Sequence, residues 1–261
     1  MDDIEIFLNR LFPDKKVYES LSKALGDADI SSSEELGAFI EQHHGLSLKV
    51  YVSNEEIKNK AVDEITEVLE KYAAENKLSL AIIVDEFLNL IDNEAHLTSQ
   101  AKPRSLVHRD GDLHPAVHIW IIKRKDMGIY VLLQKRSHEK DINPDCFDVS
   151  AAGHVSQGEE FRSSAVRETA EELGLKIHGS KLELIGLHKF YNDDGDIHDH
   201  ELRAVYLCRE PLDTDHLKLQ KSEVSEVCWA EVDEMLASMG TSDFQHCIDL
   251  TELQMIKKAV F

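Results

Sequence analysis

From residue 159 to 173 the chain runs without a glycine or proline, and Gly158 and Gly174 stand at the two ends of that run. Inside it Phe161, Ala165, Val166, Thr169, Ala170 and Leu173 recur at intervals of three and four, the period of an amphipathic helix. Gly174 falls where a left-handed C-terminal cap would close that helix. Glu168, Glu171 and Glu172 then lie at i, i+3 and i+4 and share one face. Like charges at those spacings destabilise a helix by about 0.2–0.5 kcal/mol per pair. A hard divalent cation relieves that repulsion, and Mg2+ favours carboxylate oxygens together with phosphates. A solvated acidic face is the alternative reading of the three glutamates alone.

The wider segment, Gly153 to Leu175, reads GHVSQGEEFRSSAVRETAEELGL. It follows the pattern G-x5-E-x7-R-E-U-x-E-E-x-G-U, where U is a bulky aliphatic residue, and resembles the Nudix hydrolase family. Every fixed polar and glycine position matches; Thr169 stands where an aliphatic residue is usual. The resemblance implies an α/β/α sandwich with a mixed sheet over residues 106–239. It also implies Mg2+, or Mn2+, held by Glu168, Glu171, Glu172 and the Gly153 carbonyl. Arg167 and Glu159 would brace one another and orient those carboxylates.

Whole-chain properties narrow the partners. The 261 residues contain 29 basic and 50 acidic residues, a formal charge of −21, which repels long nucleic acid and anionic membranes. No apolar run reaches the roughly 18 residues of a membrane span, and the start MDDIEIFLNR lacks a basic, then apolar, leader pattern. Cys146, Cys208, Cys228 and Cys247 have no metal-knuckle spacing and read as reduced thiols. A cytoplasmic protein is expected.

The first hundred residues hold 21 acidic and 9 basic residues. Helices are expected over 3–12, 15–25, 33–44, 54–76 and 78–92, with a short strand over 46–52. Residues 1–100 are thus expected to form a mainly helical accessory domain, suited to homodimerisation. Residues 98–104, TSQAKPR, are the candidate linker to a domain over 105–261. From residue 106 the pattern turns to strands: 114–123, 129–135, 182–191, 201–208 and 224–232, with a closing helix over 243–258.

The flanks QKRSHEKDINPDCFDVSAAGHV and DDGDIHDHELRAVYL are similar to the isopentenyl-diphosphate isomerase branch of Nudix proteins, which contains isomerases and hydrolases. That resemblance implies a second divalent ion at His108, His114, His154, Asp199 and Glu201, and contacts from Arg136 and Lys140 to a diphosphate. Asp199 replaces the family's glutamate. His118 reads as a strand residue rather than a ligand.

Isomerases of this branch need a cysteine directly before the box glycine, and Ala152 stands there. They also commonly lose box carboxylates, whereas all three are present here. The sequence therefore implies a hydrolase of a diphosphate bond in a nucleoside diphosphate or other small diphosphate-linked metabolite. Glu168 and Glu201 are both candidates for the base. An isomerase and a catalytically silent sensor are the alternatives. The coenzyme A pyrophosphatase motif is missing, no proline stands where ADP-ribose hydrolases carry one, and Tyr191 occupies a position where diadenosine polyphosphate hydrolases have tyrosine.

Overall fold

The computed structural model describes residues 48–52, 80–92, 94–126, 128–140, 142–195, 197–209, 214–241 and 244–260. The chain divides into two compact units, Met1–Phe87 with Lys102–Val107 and Leu88–Ala101 with His108–Phe261. The helices expected over 3–12, 15–25, 33–44 and 54–76 lie outside the described residues.

In the first unit β1 (Leu48–Val52) pairs parallel with β2 (Leu80–Val84). The strand expected over 46–52 is present. The helix expected over 78–92 is not: that stretch holds β2 and then β3 (Phe87–Ile91). Its apolar run LAIIV is short and β-branched, and periodicity alone does not separate such a run from a helix. Asp85 breaks the run, its carboxylate accepting from the Glu86 amide at 2.8 Å.

β3 pairs with β4 (Leu97–Pro103). The segment expected as a linker is therefore mostly strand, and α1 (Arg104–Asp110) follows it at once. Polar composition suggested a spacer, but strand pairing is made by backbone groups, which composition does not report.

The second unit is built on a seven-stranded mixed sheet. Its members are β5 (His114–Lys125), β6 (Gly128–Arg136), β7 (Phe147–Asp148), β8 (Ala151–His154), β9 (Leu182–Asp194), β10 (Ile197–Cys208) and β11 (Val224–Glu231). The main order is β11-β6-β5-β10-β9, with β7 on β6 and β8 on β5. Only β5 and β10 run parallel within it, with Glu201 opposite His114.

Strand alternation gives the sheet two apolar faces. Trp120, Ile122, Val131, Leu133, Val205 and Leu207 join the helices α3 (Val232–Ser238) and α4 (Leu250–Val260) in one core. Ile119, Ile121, Leu132, Ala204 and Tyr206 join α2 (Phe161–Leu173) in the other. Each fully buried leucine or isoleucine contributes about 1.5–3 kcal/mol of burial free energy. The expected α/β/α sandwich is present.

One helix starts later than expected and one was not expected, and a cap sets the start of each. The closing helix begins at Leu250, because the Asp249 carboxylate takes the Thr251 amide at 2.6 Å. α3 follows the strand expected over 224–232, in a stretch for which no helix was expected, and starts where the Glu231 carboxylate accepts from the Glu234 amide at 2.8 Å.

Candidate active site and metal centre

α2 opens with Glu160 as its N-cap and closes at Gly174, whose φ of 69° is left-handed. The Gly174 and Leu175 amides return to the Ala170 and Thr169 carbonyls, as a glycine cap requires. Ala165, Thr169 and Leu173 turn into the core, which points the other face of the helix towards β8.

There the helix comes very close to the strand. A Cβ built on Gly153 would lie 2.2 Å from Glu168 Cδ and 2.3 Å from its Oε1. No side chain fits, so glycine is needed for the Glu168 carboxylate to reach the strand backbone.

Arg167 gathers the neighbouring acids. Its Nη1 donates to Glu168 at 2.6 Å and to Glu171 at 3.1 Å. Its Nε and Nη2 bond Glu159 at 2.9–3.1 Å, and Nη2 also reaches the His154 carbonyl at 3.1 Å. Glu159 is held in turn by the Ser164 hydroxyl at 2.6 Å. Arg167 and Glu159 do meet. Their mutual bonds and the Glu168 charge raise the arginine's pKa against the cost of burial, so the guanidinium stays charged.

The three box glutamates are not equivalent. Glu171 is half exposed, whereas Glu172 is buried and accepts from the Ala152 amide at 3.0 Å and the Gln134 side chain at 3.2 Å. Burial first, and then the charge of Glu168, push the Glu172 carboxyl up to about 8. A cation bound among these acids would offset that cost, so the donor set fits a hard divalent ion.

A second cluster adjoins the first through His154, the residue after Gly153. The rings of His108, His114 and His154 form a triangle with centroids 5.1–5.5 Å apart. Asp199 completes the set, with all four ligand atoms within 4.8 Å of one another. Asp199 Oδ1 is 3.8 Å from His108 Nε2 and 3.6 Å from His114 Nε2, too long for hydrogen bonds. His114 Nδ1 lies 3.0 Å from the Asp112 carbonyl, which can only accept. Nδ1 therefore donates to that carbonyl, and Nε2 is turned into the cluster. Three imidazoles and a carboxylate in this arrangement fit a borderline divalent ion.

Glu201 faces His154 at 3.8 Å. Burial opposes its ionisation, but Arg203, with His114, His118 and His154, outweighs burial and holds its carboxyl well below the usual carboxylate range. Arg203 donates to Glu201 at 2.6 Å and to Glu252 at 3.3 Å. Glu252, in the first turn of α4, also takes Trp120 Nε1 at 3.1 Å and lies 2.9 Å from His118 Nδ1. His118 is thus a buried strand residue tied to Glu252, outside the histidine triangle. Sequence reasoning missed Arg203 and Glu252. The alternation that puts position 203 on the face of position 201 could have found the arginine.

Arg136 and Lys140 each pair with an acid of the protein. Arg136 bonds Asp148 at 3.1 Å and places Nε and Nη2 on the Ile142 carbonyl, which holds the loop after β6. Lys140 pairs with Glu223.

Residues 112–249 match the NUDIX domain family. The chain belongs to the Nudix family. A protein of Arabidopsis thaliana named Nudix hydrolase 3 is 37% identical over 165 residues, which is 62% of this chain and 21% of that protein. The chain therefore spans about a fifth of that relative. An uncharacterized Nudix hydrolase of Clostridium acetobutylicum is 35% identical over 151 residues, 58% of this chain and 72% of the relative. The crystal structure of DR0079 from Deinococcus radiodurans aligns with a TM-score of 0.48 and 18% identity, over 66% of this chain and 98% of that one. Nudix hydrolases act on diphosphate-linked substrates with divalent metals, and the acids gathered by Arg167 lie within the Nudix box. Among the described residues no helix is long and apolar enough to cross a membrane.

Proposed function

We propose that this Nudix protein hydrolyses the diphosphate bond of a nucleoside diphosphate derivative or a comparable small metabolite, with Mg2+ as the activating ion. The observation that carries this reading is the approach of Glu168 to Gly153 under the Arg167 clamp. Glu168, Glu171, Glu172 and the Gly153 carbonyl would hold the ion. When bound, it supplies Lewis-acid neutralisation of the diphosphate oxygens.

The chain's own groups do the rest. Glu159 fixes Arg167, and Arg167 fixes the direction of Glu168 and Glu171, so the acids need no reorganisation during reaction. Glu168 or Glu201 takes the proton of the attacking water, and Arg203 fixes the direction of the Glu201 carboxylate. Lys140 offers a point charge to the phosphates, and Arg136 acts by holding the loop beside it. The cluster of His108, His114, His154 and Asp199, with Glu201 beside it, would hold a second divalent ion.

That cluster also favours a second reading, isomerisation of isopentenyl diphosphate, since the isomerase branch carries such a set. Ala152 opposes it. Its amide serves Glu172, and its methyl group can move no proton. Proton NMR in deuterated water with Mg2+ separates the two. Release of phosphate or a nucleoside monophosphate from a diphosphate substrate, without deuterium entering isopentenyl or dimethylallyl diphosphate, is expected. Enzyme-dependent deuterium incorporation would overturn the hydrolase reading.

A further inference from the structure

The β9–β10 ribbon carries ligand-type side chains on both faces. Residues 198–201 read His-Asp-His-Glu, and strand alternation sends Asp199 and Glu201 one way, His198 and His200 the other. Asp199 and Glu201 serve the cluster described above. On the opposite face His198 stands directly across from Asp193, and His200 across from Tyr191. His198 Nδ1 lies 2.7 Å from Asp193 Oδ1, and His200 Nε2 lies 3.0 Å from the same oxygen. The three ligand atoms fall within 4.8 Å of one another.

The orientation of His200 is fixed from behind. Its Nδ1 lies 2.9 Å from the Gly111 carbonyl, which can only accept. Nδ1 therefore donates to that carbonyl, which turns Nε2 towards Asp193. A cation could take Nε2 of His200, the Asp193 carboxylate and Nδ1 of His198 together as ligands. A backbone carbonyl behind the distal ring nitrogen is the arrangement that orients metal-binding histidines in general. Gly111 is shaped for this contact: its φ is +67°, and an added Cβ would meet His200 Cε1 at 3.1 Å and His198 Cβ at 3.2 Å. Tyr191 closes one side, edge-on to the His200 ring with centroids 5.1 Å apart.

We propose that Asp193, His198 and His200 form a separate binding site for a borderline divalent transition-metal ion of the Zn2+ class. Two imidazoles and one carboxylate suit such an ion, whereas Mg2+ favours an all-oxygen shell. Three protein ligands on a half-exposed ribbon leave coordination positions for water or an incoming donor. The site stands independently of the hydrolase reading, because it shares no ligand with the box or with the histidine triangle.

The test is a Zn2+ titration of the full chain, read by equilibrium dialysis near neutral pH. It compares the protein with a His198→Ala/His200→Ala double variant, each with and without His154→Ala to silence the neighbouring cluster. Loss of one equivalent of bound Zn2+ in the double variant, on both backgrounds, is the expected result. His198→Ala alone keeps the bond between His200 and Gly111, so it guards against misfolding of the double variant; it should weaken this one equivalent at least about tenfold. Unchanged stoichiometry, with affinity within twofold, would show a hydrogen-bonded cluster only and overturn the proposal.

Discussion

The carboxylate of Glu168 fills the space that a side chain at position 153 would need, with the Glu168 Cδ only 2.2 Å from an ideal Gly153 Cβ. The obstruction is the far end of a flexible side chain, so Gly153→Ala should fold with Glu168 turned away. The expected outcome is a fall in kcat of about 100-fold or more, the scale of losing a group that stabilises transition-state charge. Thermal unfolding and steady-state kinetics check it together; near-normal turnover would detach Glu168 from the chemistry.

Arg167 holds Glu159, Glu168 and Glu171 with three different nitrogens. A lysine preserves the charge but cannot span those partners. Arg167→Lys should therefore lose about 10–100-fold in activity, the range seen when groups behind metal ligands are removed. The loss should appear as a weaker dependence on Mg2+, measurable by titrating the metal at fixed substrate.

The buried pair of His118 and Glu252 gives stability a pH dependence. Burial alone would lower the His118 pKa, but Glu252 outweighs it and the pKa is raised. A group raised on folding stabilises fully below its unfolded value, about 6.5 for histidine, and loses that contribution as pH rises through its folded value. The Tm gap between the protein and His118→Gln should accordingly be widest near pH 6 and shrink towards pH 9. A gap that widens with pH would contradict the assignment.

Residues 88–101 belong with the Nudix unit although they precede residue 105. Leu88 is fully buried and bridges to Ser156, and the Asn89 amide donates to the Ser156 carbonyl at 3.0 Å. A chain shortened to begin at residue 105 should be less stable than one beginning at residue 86. Losing a buried leucine alone costs about 2–5 kcal/mol. Chemical denaturation of the two shortened chains decides it, and equal midpoints would support a boundary at 105.

The parts legible in the sequence were those fixed locally. The box lies within one continuous segment, so periodicity gave the helix, spacing gave the shared carboxylates, and Gly174 gave the cap. The histidine triangle was reached through family resemblance, because His108, His114 and His154 come from three different elements. Nothing local announces that Glu252 sits under Trp120, 132 residues away. The ion pairs of Arg136 and Lys140 were hidden for the same reason, since Asp148 and Glu223 reach them by strand pairing and loop return. The strands over 80–91 were misread because five apolar residues fit both periods.

The most direct test of the account is release of phosphate or nucleoside monophosphate from a panel of nucleoside diphosphate derivatives with Mg2+, for the protein and for Glu168→Gln. Turnover of at least one compound is expected, with its abolition by chelation and a loss of about 100-fold or more in the variant. Turnover that survives both chelation and Glu168→Gln, or no turnover of any diphosphate, would contradict it.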